Sequence, residues 1–232
     1  MIKEVLEWDS KFFGFPVEKI VLGKSFNKQQ FRRLLSESSA NVIYIYAPHD
    51  LKPEQEMTIA GSGAIKYDVR TTFEKQITSG SMPSQIVKIT AATDELEQLA
   101  WAAGVDSRYN SDPRFCPYFR PLYSEWLRKA FVNPGTVALA AMKSGKVVGM
   151  VTVSLTEAAG KIELLAVAPE FRACGIGSLL LDAAGAFCLE HGKKSCSVVT
   201  QQINIPACKL YSKNGYIITR QEAVWHRWKV IQ

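Results

Sequence analysis

Apolar positions along the chain fall into two spacings. Short alternating or β-rich runs predict strands, and stretches with apolar residues three or four apart predict helices. Within the first 80 residues, Val5–Trp8, Val17–Leu22, Val42–Tyr46 and Val69–Ile77 have strand composition. Asn27–Ser38 places Phe31, Leu34 and Leu35 on one side of a helix. Lys52–Ala60 is also helical, with Pro53 in the first turn, where its missing N–H is tolerated. The stretch from Asp9 to Pro16, rich in Phe, reads as an aromatic turn. This βαβαβ-like series holds no histidine cluster, nucleophile motif or phosphate loop, which favours a scaffolding or dimerising role.

Thr78–Ser84 crowds Gly80, Pro83 and three serines between two strand-like runs, the composition of a linker. It predicts a small α/β domain over 1–80 and a second domain over 83–232. There, Ile86–Thr90 is a strand, and Thr93 or Asp94 caps a helix that runs to about Ala103. Residues 104–121 contain Pro113, Pro117 and Pro121 and read as irregular; Leu122–Phe131 is helical with Trp126 and Leu127 inward. Thr136–Met142 and Val147–Leu155 form a hairpin through Lys143-Ser144-Gly145-Lys146, and a turn at Ala158–Gly160 leads into Ile162–Val167. A buried-face helix, Ser178–Leu189, stops at His191-Gly192. Ser195–Thr200 is the next strand, and Asn204 opens a short helix to about Lys213. Tyr216–Thr219 and Ala223–Lys229 are two final strands.

Chemistry concentrates where the strand ending at Val167 meets that helix. The connection, Arg172-Ala173-Cys174-Gly175-Ile176-Gly177, sets two glycines at a helix N-terminus. The first-turn N–H groups have no internal partner and the helix dipole adds positive potential, so a phosphate or pyrophosphate is the expected guest, with Arg172 beside it. Glycines in such turns also serve packing. The nucleotide loop Gly-x4-Gly-Lys-Ser/Thr is missing, and Leu180 stands where Gly-x-Gly-x-x-Gly needs its third glycine. A second block follows, Asn204-Ile205-Pro206-Ala207-Cys208-Lys209-Leu210-Tyr211-Ser212-Lys213-Asn214-Gly215-Tyr216.

In that order, Arg-x-x-Gly-x-Gly and Asn-x-x-Ala-x-x-Leu-Tyr-x-Lys-x-Gly-Tyr resemble the acyl-CoA-binding motifs of the GCN5-related N-acetyltransferases (GNAT). The resemblance implies an α/β acyl-CoA N-acyltransferase fold: a mixed, mostly antiparallel sheet with splayed central strands and helices on both faces, preceded here by the small α/β domain. It implies acetyl-CoA as co-substrate. The pantetheine arm would pair with Leu165, Ala166 and Val167, and the pyrophosphate would lie on the N–H groups of Arg172, Ala173, Cys174, Gly175, Ile176, Gly177 and Ser178. Asn204 would bond the arm, and Tyr211 would stand by the thioester sulfur as the acid that protonates the departing thiolate. Glu163 is the acid on the strand before the loop. If Leu164 and Ala166 share one face, Glu163, Leu165 and Val167 share the other. Either Glu163 or a water relay serves as base, and the relay is the default.

The 232 residues are 47% apolar with a net charge of +6, which suits an anionic ligand; no Lys- or Arg-rich run points to nucleic acid. Five cysteines without Cys-x-x-Cys spacing and three scattered histidines (His49, His191, His226) argue against a metal site and a disulfide framework. With no long apolar run, the expectation is a cytoplasmic protein without membrane insertion.

Several stretches resemble the dTDP-fucosamine acetyltransferases more narrowly: Trp8 with Phe12-Phe13-Gly14, Ser107-Arg108-Tyr109, Tyr123-Ser124-Glu125-Trp126, Thr200-Gln201 and Trp225. That likeness implies a dTDP-linked amino-dideoxy sugar as acceptor, surface-polysaccharide biosynthesis, and a homodimer. It does not extend to Glu163. Arg108, Arg114 and Arg120 among aromatics suit a diphosphate and a flat base, with Arg108 and Tyr109 lining the acceptor side. Another small amine, a peptide N-terminus, or a non-catalytic acyl-CoA sensor are the competing readings.

Overall fold

The computed structural model describes residues 1–229. In chain order its elements are β1 (Ile2–Val5), α1 (Glu7–Phe13), β2 (Val17–Val21), α2 (Lys28–Ser36), β3 (Val42–Pro48), α3 (Pro53–Ala60), β4 (Ile65–Gln76), β5 (Ile86–Ile89), α4 (Asp94–Ala103), α5 (Arg108–Ser111), α6 (Phe119–Val132), β6 (Thr136–Lys143), β7 (Lys146–Leu155), β8 (Gly160–Val167), α7 (Ile176–Glu190), β9 (Ser195–Gln201), α8 (Ile205–Lys213) and β10 (Ile217–Trp228). The chain forms two compact units: Met1–Arg70 with the segment that begins at Gln221, and Thr71–Arg220. The division falls inside β4 and β10. It differs from the boundary expected at 80–83 in those two segments, although 77–83 has no regular structure.

In the first unit β1 and β2 are antiparallel, β2 and β3 parallel, and β3 and β10 antiparallel. Strand β3 is buried from Val42 through Ile45, because helices cover one face and aromatic groups the other. Phe31 and Leu35 of α2 and Ile59 of α3 pack with Ile20, Ile43, Ile45 and Trp225. The stretch expected as an aromatic turn is instead helix α1. Trp8 and Phe12 stack at 5.2 Å, the i,i+4 spacing of a helix face. Gly14, at φ 78°, supplies the left-handed C-cap, and its N–H donates to Ser10 O. Ser10 Oγ in turn accepts from Val17 N–H at 2.9 Å and ties the helix to β2.

The second unit has strand order β4-β9-β8-β7-β6-β5, with β5 through β8 successively antiparallel and β8 and β9 parallel. Helix α7 buries Leu180, Leu181, Ala184 and Phe187 against Val151, Val153, Ile162 and Val198. Helices α4 and α6 contact the same strands and bury Leu96, Leu99, Leu122 and Leu127. The mixed α/β fold with a mostly antiparallel sheet is therefore present. Thr93 caps α4 as expected, its side chain accepting from Leu96 N–H. Residues 104–121 are more ordered than their prolines suggested. Pro121 is the third residue of α6, where no helical bond is lost, so that helix begins at Phe119 rather than Leu122. The two expected final strands are one, β10, which has no Gly or Pro to break it. Among the described residues no helix is long and apolar enough to cross a membrane, and no group of His, Cys, Asp and Glu could hold a metal ion.

Candidate functional site

Strands β8 and β9 pair over three residues: Gly160 with Cys196, Lys161 with Ser197, and Ile162 with Val198. Beyond that point β8 runs to Val167 and β9 to Gln201 with no further pairing between them. On its other edge β8 stays bonded to β7, with Leu165, Ala166 and Val167 opposite Val151, Met150 and Gly149. The gap thus leaves one edge of residues 163–167 for an extended ligand, which can pair with it as a strand would. Leu165, Ala166 and Val167 lie on that edge.

A bulge marks the start of the gap. Thr152 is opposite Leu164 and Val153 opposite Ile162, so Glu163 is an extra residue in β8. Thr152 Oγ1 accepts the Leu164 N–H at 3.1 Å and satisfies a donor that the bulge displaces. The bulge overturns simple alternation. Ile162, Leu165 and Val167 all pack against the α7 core, while Leu164 and Ala166 are buried outside that cluster. Glu163 does not share a face with Leu165 and Val167. It is exposed and turned to Ser154 and Lys161.

From Val167 the chain makes a 3-10 turn at Pro169–Phe171 and reaches α7 through Arg172–Gly175. Ala173 (φ 62°) and Gly175 (φ 81°) are both left-handed. Gly175 adopts this at no steric cost, whereas an L-residue such as Ala173 pays about 1–2 kcal/mol. These turns set the N–H groups of 173–175 beside the open first-turn N–H groups of Ile176, Gly177 and Ser178, an anion cradle at the positive end of a 15-residue helix. Arg172 is exposed, and its Nε donates to Val167 O at 3.3 Å. Gly177 is a packing glycine: a Cβ there would sit 2.9 Å from Leu210 Cδ2, so α7 and α8 approach closely beside the cradle.

Asn204 caps α8, its Oδ1 accepting from Ala207 N–H at 3.1 Å, which leaves the amide NH₂ to serve a ligand. Tyr211 is buried, with ring centroids 5.4 Å from Phe73 and 6.0 Å from Tyr216. Burial pushes its phenol well above the ordinary tyrosine value, and Cys208 adds to the shift, so the hydroxyl keeps its proton.

On the α6 side lies a cavity of about 360 Å³. Trp126 and Lys129 of α6, its C-cap Asn133, Thr136 of β6, Thr152 and Ser154 of β7, and Lys161 and Glu163 of β8 line it. Glu163 accepts from Ser154 Oγ and from Lys161 Nζ, each at 2.7 Å. Arg108 and Tyr109 do not line the cavity. The Arg108 guanidinium lies 4.3 Å from the Tyr109 ring centroid and donates to its hydroxyl, and Tyr109 meets Trp126 edge-on at 5.8 Å. Arg120 stands over Trp101, so Arg108 and Arg120 pack on different rings; Arg114 is exposed. Trp126, Ser154 and Lys161 were not sequence candidates for a site. The one available signal was the opposite charge of Lys161 and Glu163, two apart on one strand.

A model of the acetyltransferase (GNAT) family matches residues 95–216, just over half of the chain. No curated protein matches the chain. Among solved structures, a functionally unknown conserved protein from Staphylococcus epidermidis superposes with a TM-score of 0.63 at 13% identity, covering 93% of this chain and 84% of that one. A GCN5-related N-acetyltransferase from Kribbella flavida gives 0.54 at 12% identity over 91% and 80%. An acetyltransferase of the GNAT family from Novosphingobium aromaticivorans gives 0.53 at 15% over 88% and 81%. At these identities the likeness concerns the fold.

Proposed function

The chain belongs to the acetyltransferase (GNAT) family and is an acetyl-CoA-dependent N-acetyltransferase, and we propose that its acceptor is the amino group of a dTDP-linked amino-dideoxy sugar, with Tyr211 as the general acid. The residues fit the co-substrate. The unpaired edge of 163–167 matches the amides of a pantetheine arm, and the cradle of N–H groups at 173–178 matches a pyrophosphate with Arg172 beside it. Acetyl-CoA supplies an acyl thioester.

This chain's residues then act on the transfer. A main-chain N–H on the open edge of β8 receives the negative charge that develops on the carbonyl oxygen. The acceptor nitrogen gives up its ammonium proton to water and, as free amine, bonds the carbonyl carbon while the carbon–sulfur bond breaks. Tyr211 gives its phenolic proton to the sulfur, the nitrogen loses one to water, and solvent restores the phenol. The raised pKa of Tyr211 keeps it a donor at neutral pH.

The observation that carries the acceptor reading is the Arg108–Tyr109–Trp126 assembly, which links a guanidinium suited to a diphosphate with a residue lining the cavity. The test is thiol release from acetyl-CoA against dTDP-linked 3-amino and 4-amino dideoxyhexoses, with polyamines, amino acids and a peptide N-terminus as controls. Turnover on a dTDP-amino sugar alone supports the reading. Turnover on a simple amine alone refutes the acceptor, and silence on all of them, with acetyl-CoA bound, favours a sensor.

A further inference from the structure

Two cysteines that the transfer reaction does not use meet in the core of the second unit. Cys188 lies near the C-terminal end of α7 and Cys196 is the second residue of β9; both are buried and both are free thiols. We propose that they are a redox-active pair, which a hydroperoxide joins as a reversible disulfide, and that the disulfide weakens the hold on acetyl-CoA. A glycine builds the juxtaposition. Gly160, the first residue of β8, is opposite Cys196 in the β8–β9 pairing. A Cβ at Gly160 would lie 2.1 Å from Cys188 Sγ, so the sulfur of Cys188 fills the place of a side chain at that rung, in the core cluster where Cys196 also packs.

The two thiols share a hydrogen bond in which Cys188 donates, and the Tyr216 hydroxyl donates to Cys196 as well. The bond from Cys188, against the opposing cost of burial, and then the bond from Tyr216 and the charge of Lys75 hold the Cys196 thiol below its ordinary value. The shared bond and burial push Cys188 above it. Cys196 is therefore the member that supplies a thiolate, the nucleophilic form. That thiolate attacks one peroxide oxygen. The oxygen–oxygen bond breaks, an alcohol leaves with the proton the thiol gave up, and a sulfenic acid remains. The Cys188 sulfur then attacks the sulfenic sulfur, the sulfur–oxygen bond breaks, and water leaves with the Cys188 proton. Two thiols are oxidised by two electrons, and one hydroperoxide is reduced to an alcohol and water.

The pair sits at the closed root of the gap. Gly160 and Cys196 form the first of the three paired rungs beyond which β8 and β9 part, and α7 carries the anion cradle at its other end. A disulfide brings the sulfurs to about 2.05 Å, well inside the contact distance of two thiols. Ala183, Ala184 and Val198 are buried around the pair, and a close-packed interior passes such a displacement on rather than absorbing it. Either α7 or the root of β9 must shift, whereas a binding constellation tolerates only about 0.5 Å. One cross-link thus disturbs the cradle and the width of the gap together.

The experiment treats the reduced, full-length protein with hydrogen peroxide, then blocks the remaining thiols under denaturing conditions and maps the peptides by mass. The expected product is a peptide pair linked through Cys188 and Cys196, with Cys174 recovered as a free thiol and the link undone by dithiothreitol. Calorimetric titration should show the acetyl-CoA Kd raised fivefold or more in the oxidised protein and restored by dithiothreitol, a readout that needs no acceptor. In Cys188→Ala and Cys196→Ala, peroxide should leave the Kd unchanged. Cys188 and Cys196 recovered free while the exposed cysteines react overturns the pair. A disulfide that forms without changing the Kd overturns the switch. Loss of affinity that persists in Cys188→Ala assigns the effect to another cysteine and overturns it as well. Should either variant fail to fold, the peptide map and the Kd of the wild type decide by themselves.

Discussion

The two ends of β8 offer a ligand different kinds of partner. After Val167, the connection to α7 presents main-chain N–H groups, held by two left-handed residues and a helix dipole. Beside Glu163, the cavity presents side chains drawn from four elements. The first arrangement depends on backbone shape and is nearly indifferent to side-chain identity. The second depends on identity at every position. A ligand shared by many chains can be held by the first, and a ligand particular to one chain requires the second.

Tyr211 stands apart from both, since it is asked to act on bonds rather than to hold a ligand. Its replacement by Phe is expected to have the largest effect, lowering kcat by about 10²–10⁴ with acetyl-CoA affinity nearly unchanged. An equal rate removes it from the mechanism. Its pKa is raised, so the wild-type rate should show no alkaline loss from this group below about pH 10, the ordinary tyrosine value. Such a loss near pH 8 that vanishes in the Phe variant would contradict that shift. The sign for stability follows. The unfolded phenol ionises first, so the contribution is complete below about pH 10 and declines as pH rises toward the folded value. Thermal melting above pH 10 should therefore fall more steeply for the wild type than for Tyr211→Phe.

Next in size is a change to backbone shape. Gly177→Ala forces a Cβ to 2.9 Å from Leu210 Cδ2 and should cost about 1–3 kcal/mol by overpacking, seen as a lower Tm and a higher acetyl-CoA KM. Adding Leu210→Ala should recover part of the KM effect. If Gly177→Ala leaves both unchanged, the cradle is less dependent on shape than argued. A side-chain change at the same end should matter less. Arg172→Ala should raise the acetyl-CoA KM about fivefold, equivalent to ~1 kcal/mol for an exposed charge, with the difference shrinking at high salt. A hundredfold loss would mean that the charge, rather than the backbone, dominates. The smallest effect is expected at Ala173. Glycine relieves the left-handed strain but loosens the unfolded chain by about 0.4–1 kcal/mol, so Ala173→Gly should stabilise by roughly 0–1.6 kcal/mol without impairing turnover.

The same contrast explains what could be read in advance. The cradle was legible because Gly175 and Gly177 mark backbone geometry locally, within one strand-to-helix connection. Asn204 was legible as a cap because that role spans three residues, and α8 followed from it. The cavity was not legible. Its parts lie between Trp126 and Glu163, and only the register brings Ser154 beside Glu163. The bulge itself leaves no residue signature, so alternation carried through Glu163 gave the wrong face. Helix α1 was missed for another reason: its aromatic composition suggested a turn, while the spacing of Trp8 and Phe12 already carried the helical period. The arginines at 108 and 120 looked like parts of one cluster by composition, but α5 and the start of α6 send them to different aromatic rings, Tyr109 and Trp101.

The bulge at Glu163 also makes β8 a strand of two parities, an odd insertion spliced into an even repeat. Excising that single residue would restore a uniform alternation and leave the chain nearly isosteric in composition. It would also invert everything upstream relative to everything downstream: either Ile162 would leave the α7 core for the cavity, or Leu165 and Val167 would. Length along this strand is therefore constrained modulo two. Variation by one residue is ruinous where a substitution is mild, and a pair of residues gained or lost together is the smallest change in length that the sheet can absorb.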